Sequence, residues 1–196
     1  MSALYDSYDA LIFDLDGTVL DSMEGHLAAW RKVAETHGFH IEDEWYHSLG
    51  GSPTIRTAKL LVDKFSLDVS PQQLADEKAV FFMEVMEDHI SELPFADVVR
   101  RYTGLKRMAV GTGTLTEIAN RMLDKAGLLN CFNVVVGADQ VNNHKPAPDT
   151  FLACARALNV RPVDCLVFED ADFGIQAAEA AGMDVIDVRK TRVEPV

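Results

Sequence analysis

Five short apolar runs punctuate the chain: ALIFD (10–14), MAVGT (108–112), NVVVGA (133–138), CLVFED (165–170) and DVIDV (184–188). Each is close to continuous in β-branched or apolar residues and is bounded by turn-forming residues. Strands of this kind are buried on both faces, the pattern of a parallel sheet. Helical patterns separate the last four runs: LTEIANRMLDKAGL (115–128), PAPDTFLACARALNV (146–160) and ADFGIQAAEAAGM (171–183). The alternation predicts an α/β fold built on a doubly wound parallel sheet. Ligands of such sheets bind beyond the carboxyl ends of the strands, at the topological switch point. Asp14, Thr112 and the Glu169–Asp170 pair all fall at that end of their strands.

The first two runs are far apart. Roughly 75 residues, from Val19 to about Leu93, contain no convincing buried strand, and a compact domain does not tolerate a structureless loop of that length. The segment instead carries the amphipathic patterns MEGHLAAWRKVAETHG, PTIRTAKLLVDKF and SPQQLADEKAVFFMEVMEDHI. The expectation is a small α-helical cap over 19–92, inserted into an α/β core made of 1–18 and 93–196, with hinges near 19–22 and 91–94. Ser70-Pro71 marks one helix start, with Pro71 at the first helical position.

Charge narrows the partners. The chain has 31 acidic and 18 basic residues, a formal charge of -13, which repels nucleic acid and anionic membrane surfaces. An anionic ligand therefore needs local help from a metal ion, a lysine or backbone amides. No run approaches the roughly 18 apolar residues of a membrane span, and the start lacks a basic leader pattern. A cytoplasmic monomer is expected. Cys131, Cys154 and Cys165 are odd in number and sit in apolar surroundings, which reads as buried free thiols.

Several residues can carry chemistry. Asp14 and Asp16 can ligate a hard cation through oxygen, attack phosphorus or move protons, or they form an ordinary Asp-Gly turn. Glu169 and Asp170 either complete an acidic metal cluster or form an exposed loop pair. Oxygen ligands suit magnesium, and no Cys/His spacing suggests zinc. Thr112, Gly113 and Thr114 precede a helix, which makes either an anion site or a simple Thr114 N-cap. Lys145, just before Pro146 and the next helix, either joins phosphate to nucleophile or is a solvated loop lysine. His26 and Lys78 on the cap helices, and Arg56 after GGSPTI, either read a sugar-like group or lie on the surface. Trp30 reads as core, and His37, His40, His47 and His89 carry no pattern.

DLDGT at 14–18, the threonine closing the second core strand, HKPAPD around Lys145 and FEDADFGI around Asp170 together resemble the haloacid dehalogenase superfamily. Order and spacing agree: Thr112 lies 98 residues after Asp14, Lys145 33 after Thr112, and Asp170 25 after Lys145. The resemblance implies Asp14 as nucleophile, Asp16 as general acid/base, and Thr112 and Lys145 as phosphate binders with Gly113 beside them. It implies Mg2+ held by Asp14, the Asp16 carbonyl and Asp170, with Glu169 as a further or outer metal residue. An acid/base aspartate two residues after the nucleophile marks the phosphotransferase branches rather than the dehalogenases.

The helical insertion resembles the cap of the subgroup containing beta-phosphoglucomutase and hexose-phosphate phosphatases. His26 and Lys78 match a histidine and a lysine of the mutase, whereas its phosphate-binding cap arginine has no clean counterpart: Thr54 falls near that position and Arg56 two residues later. LGGSPTIRTAK, MAVGTGT, NHKPAPDTF and VFEDADFGIQAA most resemble the bacterial fructose-1-phosphate and 6-phosphogluconate phosphatase branch, over about 8–189. The implied activity is magnesium-dependent hydrolysis of a small sugar phosphate through an aspartyl-phosphate. The alternative is a beta-phosphoglucomutase interconverting beta-glucose 1-phosphate and glucose 6-phosphate. A third reading, a silent fold that binds a protein partner, is opposed by the intact Asp14, Asp16, Lys145 and Asp170.

Overall fold

The computed structural model describes residues 5–49 and 52–191. Gly50 and Gly51, part of LGGSPTIRTAK, lie outside the described residues. The strands are β1 (Ala10–Phe13), β2 (Leu20–Asp21), β3 (Ser91–Glu92), β4 (Arg107–Gly111), β5 (Val134–Val136), β6 (Cys165–Glu169) and β7 (Asp184–Asp187). The helices are α1 (Met23–His37), α2 (Asp43–His47), α3 (Thr54–Phe65), α4 (Pro71–Val85), α5 (Phe95–Tyr102), α6 (Thr116–Lys125), α7 (Asp149–Leu158) and α8 (Asp172–Ala180).

Five strands form one parallel sheet in the order β5-β4-β1-β6-β7. All five expected runs are present in it. β1 is central, pairing Phe13 with Val110 on one side and with Phe168 on the other. The chain moves outward from β1 through β4 to β5, then returns across β1 to β6 and β7. The connections therefore diverge between β1 and β6, which opens a crevice at their carboxyl ends.

Successive strand residues alternate between the faces, and each face is covered. Leu11, Phe13, Met108, Val110, Leu166 and Phe168 pack under α5 and α6, while Ala10, Ile12, Ala109, Cys165 and Val167 pack under α7 and α8. Phe13 and Phe168 stack at 4.5 Å between ring centroids. Burial of each such side chain contributes about 1.5–3 kcal/mol, and the gain is what holds the strand ends in register. Cys154 and Cys165 are buried free thiols as expected, whereas Cys131 is only half-buried.

α1 to α4 have their own apolar centre, formed by Leu27, Trp30, Val33, Ile41, Tyr46, Leu61 and Leu74. The start of α4 is a capping box: the Gln73 amide donates to Ser70 Oγ at 3.2 Å, and the Ser70 amide donates to Gln73 Oε1 at 3.0 Å. Pro71 occupies the first turn, where its missing N–H costs nothing. The insertion is closed by an unexpected ribbon, in which β2 and β3 pair antiparallel through Leu20↔Glu92 and Asp21↔Ser91. These strands fall where hinges were expected. α5 was also unexpected, although Phe95, Val98, Val99 and Tyr102 have helical spacing and are all buried. Among the described residues, no helix is long and apolar enough to cross a membrane.

Candidate active site

The crevice begins where β1 ends. The Asp14 amide donates to the Phe168 carbonyl at 2.9 Å, so the sheet ladder itself fixes this aspartate. The chain then turns at Gly17, whose φ is +90; a Cβ there would lie 2.3 Å from Asp170 Oδ2. Glycine is required both for that backbone angle and for the approach of the second strand's acid. Thr18 Oγ1 donates to Asp170 Oδ1 at 3.2 Å, tying the two loops together.

Lys145 joins the acids. Its Nζ donates to Asp14 Oδ1 at 2.6 Å and to Glu169 Oε2 at 2.8 Å. It is therefore not a solvated loop lysine. Glu169 is likewise not an exposed loop residue: it is 1% exposed. Its Oε1 accepts the Ala171 amide at 3.1 Å. Gly174 makes that position possible, since a Cβ there would come within 2.0 Å of Glu169 Cδ.

Burial raises the carboxyls of Asp14 and Glu169 above their ordinary values; for Asp14 the charge of Glu169 adds to this, and Lys145 opposes it in both. Asp170 is pushed up to about 7 by burial and by the charge of Asp14. Burial alone would depress the Lys145 ammonium, but Asp14 and Glu169 outweigh it and hold it above its ordinary value. One cation faces three acids. Asp14, Glu169 and Asp170 each offer an oxygen, and these oxygens lie within 4.8 Å of one another. An all-oxygen donor set with excess negative charge fits a hard divalent cation such as Mg2+.

Asp16, two residues on, faces the other way. Its Oδ1 accepts Ser22 Oγ at 2.6 Å and lies 2.9 Å from His26 Nε2, while its Oδ2 accepts Thr114 Oγ1 at 2.8 Å and Thr112 Oγ1 at 3.1 Å. One oxygen is thus held from the insertion and the other from the sheet. Burial alone would raise this carboxyl, but His26, Ser22 and Thr114 hold it well below the usual range. Burial and the Lys78 charge depress His26, and its neutral ring, with Nδ1 facing the Lys78 ammonium, still offers Nε2–H to Asp16.

These contacts correct one expectation and add two residues. Thr114 is not a helix cap: α6 begins at Thr116 with Leu115 as its N-cap. Ser22 does occupy the N-cap of α1, yet its side chain makes no capping bond. Forgoing a cap costs about 1 kcal/mol, so the Ser22 hydroxyl is committed to Asp16 at the expense of its own helix. A serine just before an amphipathic run was the available signal, and it reads as a cap in any sequence.

The opposite wall comes from the insertion. Lys78 Nζ lies 2.6 Å from His26 Nδ1, completing a chain from Lys78 through His26 to Asp16. Phe82 stacks on the His26 ring at 4.1 Å. Burial depresses Lys78 to about 8. Gly113, Trp30, Tyr46, Thr54 and Thr57 also line the cavity. Arg56 does not belong to this wall: it is exposed, with its guanidinium 4.5 Å from the Phe173 ring centroid. Thr54 and Thr57, three residues apart, share a helix face, and Arg56 is rotated about 200° from Thr54.

Residues 8–182 match the family described as haloacid dehalogenase-like hydrolase. The chain is 47% identical over 186 residues to fructose-1-phosphate phosphatase YqaB of Escherichia coli (strain K12), covering 95% of this chain and 99% of that protein. It is 31% identical over 184 residues to a phosphorylated carbohydrates phosphatase of Thermotoga maritima, covering 91% of this chain and 83% of the other. The crystal structure of beta-phosphoglucomutase from Clostridium difficile is similar with a TM-score of 0.78 and 26% identity, over 91% of this chain and 83% of that one.

Proposed function

The chain belongs to the haloacid dehalogenase-like hydrolases and is a phosphatase of that family, and on that premise we propose that it hydrolyses small sugar phosphates of the fructose 1-phosphate type through an aspartyl-phosphate on Asp14. Mg2+ is the proposed cofactor, held by Asp14, Asp170 and the Asp16 carbonyl with Glu169 behind them. When bound, it supplies positive charge against the phosphoryl oxygens. Segment 19–92 is proposed to act as the cap, with the β2–β3 ribbon as its hinge.

The chain's own residues then divide the work. Lys145 holds Asp14 Oδ1 and presents its charge to the incoming phosphate. Asp14 attacks phosphorus in line, and the bond to the sugar oxygen breaks as Asp16 delivers its proton there. The approaching phosphate opposes the charge on Asp16 and so favours its protonated form. In the second half Asp16 is a carboxylate again, the form that Ser22 and Thr114 stabilise. It takes a proton from the water that attacks the phosphoenzyme, releasing phosphate and restoring Asp14. As phosphate leaves, Asp16 gives that proton to solvent, and it takes one up again when the phosphate of the next substrate approaches. Cap closure excludes bulk water from the first half.

The observation that carries phosphatase over mutase is the asymmetry of the cavity. Among the described residues its basic side chains are Lys145, Lys78 and His26, and no arginine lines it. A mutase cycle through a bisphosphate needs a second anion seat, and hydroxyls stand where the cap would provide one. Magnesium-dependent phosphate release from fructose 1-phosphate, with no glucose 6-phosphate formed from beta-glucose 1-phosphate plus a bisphosphate primer, is the expected result. Isomerised hexose phosphate without free phosphate would establish the mutase.

A further inference from the structure

Two hydroxyls on the insertion side of the cavity are not used by the cycle described above. Tyr46 is 8% exposed and Thr57 is 3% exposed, and both line the cavity that contains Asp16. Neither hydroxyl takes part in a hydrogen bond among the described residues, whereas Ser22, Thr112 and Thr114 are all committed to Asp16. No polar side-chain atom of the described residues is both fully enclosed and without a partner. The Tyr46 and Thr57 hydroxyls therefore keep some open surface, and both residues line the cavity.

A substrate that fills the cavity strips water from both hydroxyls, and a hydroxyl then left without a partner costs about 1–3 kcal/mol, so a ligand seated there has to offer each of them an oxygen. Burial, followed by the negative charges of Asp16 and Glu24, raises the Tyr46 phenol above its ordinary value and keeps it a neutral donor. Trp30, Met23 and Leu49 give the same cavity apolar surface. Apolar surface with a few placed hydroxyls suits a polyol carbon skeleton, whose C–H faces pack while its oxygens pair. It does not suit a second phosphate.

Resting on the phosphatase reading, we propose that Tyr46 and Thr57 form the leaving-group subsite, pairing their hydroxyls with hydroxyl oxygens of a sugar or polyol on the far side of the ester from Lys145. They bind the substrate's carbon half, whereas Lys145 and the acids bind its phosphate half. The pair selects against phosphomonoesters whose leaving group has no hydroxyl to offer.

The test separates the two halves by binding, so that it does not depend on turnover. In an Asp14→Asn background with magnesium, calorimetry gives the Kd of fructose 1-phosphate and of inorganic phosphate. Adding Tyr46→Phe is expected to weaken fructose 1-phosphate about 10-fold, near the upper range for one hydrogen bond, and to leave inorganic phosphate within about 2-fold. Thr57→Val, made separately, is expected to act in the same direction and gives the result independently if Tyr46→Phe does not fold. Equal weakening of both ligands, no change in either, or a parent that binds fructose 1-phosphate no better than phosphate would overturn the subsite. Failure of the phosphatase reading shows elsewhere, as an absence of phosphate release by the unmodified protein.

Discussion

Lys145 and Lys78 are both buried ammonium groups lining one cavity, yet the charge around them differs. Lys145, on the sheet side, touches two carboxylates. Lys78, on the cap side, touches a histidine ring and lies 4.8 Å above Phe82. The acids hold the first lysine above its ordinary value, and burial pulls the second down to about 8. The difference teaches where charge is meant to be handled: the sheet side concentrates ions for a phosphoryl group, and the cap side is close to neutral and rich in hydroxyls. A cavity with one ionic wall fits an ester that carries a single phosphate.

The most severe way to break this contrast is to remove the ionic wall's cation. Lys145→Met leaves Asp14 and Glu169 buried and unpaired, which costs about 3–5 kcal/mol of stability. Phosphate release is expected to fall about 10²–10³-fold, as for loss of a preorganised electrostatic group. Because a cation binding the native state stabilises it, added Mg2+ is expected to recover part of the lost unfolding temperature. A variant that melts like the parent without magnesium would show that Lys145 does not bind the acid cluster together.

The cap side can be sharpened by titration. The unfolded chain keeps the Lys78 proton up to its ordinary value of 10.5, while the folded protein gives it up near 8. Between these values the unfolded state binds more protons, so Lys78 makes stability rise with pH, by up to about 1.4 kcal/mol per unit. Urea unfolding at several pH values is expected to show this rise in the parent and its loss in Lys78→Met. Identical slopes would place an acid beside Lys78 and make the two walls alike.

The smallest effect is expected at Arg56. Its contact with Phe173 joins the cap to the start of α8 outside the cavity, and an exposed cation–π pair contributes about 0.5–1 kcal/mol. Arg56→Ala is therefore expected to leave kcat/KM for fructose 1-phosphate within about 2-fold. A KM increase near 100-fold would make Arg56 a second anion seat and erase the asymmetry.

The sheet was readable in advance because strands buried on both faces are written as unbroken apolar runs. The ionic wall was readable for a related reason, since Asp14, Thr112 and Glu169–Asp170 sit at the ends of those runs and parallel strands bring their carboxyl ends together. The rest was readable only in part: His26 and Lys78 stood out on the amphipathic helices and both line the cavity, but the hydroxyls around Asp16 did not. Ser22 and Thr114 look like helix caps locally, and only the three-dimensional placement of Asp16 between them shows otherwise. Tyr46 sits in a five-residue helix too short to display a face. Arg56 lies on the surface, one of the two readings its sequence allowed, and the sequence could not decide between them because chain distance from a motif says nothing of helix phase. Two-residue strands such as β2 and β3 have no pattern to detect, although their pairing closes the insertion.

The central claim is that Asp14, held by Lys145 on the ionic wall, accepts the phosphoryl group. Acid quenching within one turnover of fructose 1-phosphate and magnesium, followed by peptide mass spectrometry, tests it directly. The account predicts a phosphoryl group on the peptide containing Asp14, present during turnover, absent after substrate is exhausted and absent in Asp14→Asn. Phosphate release at an undiminished rate by Asp14→Asn, or a phosphoryl group on a different residue, would contradict it.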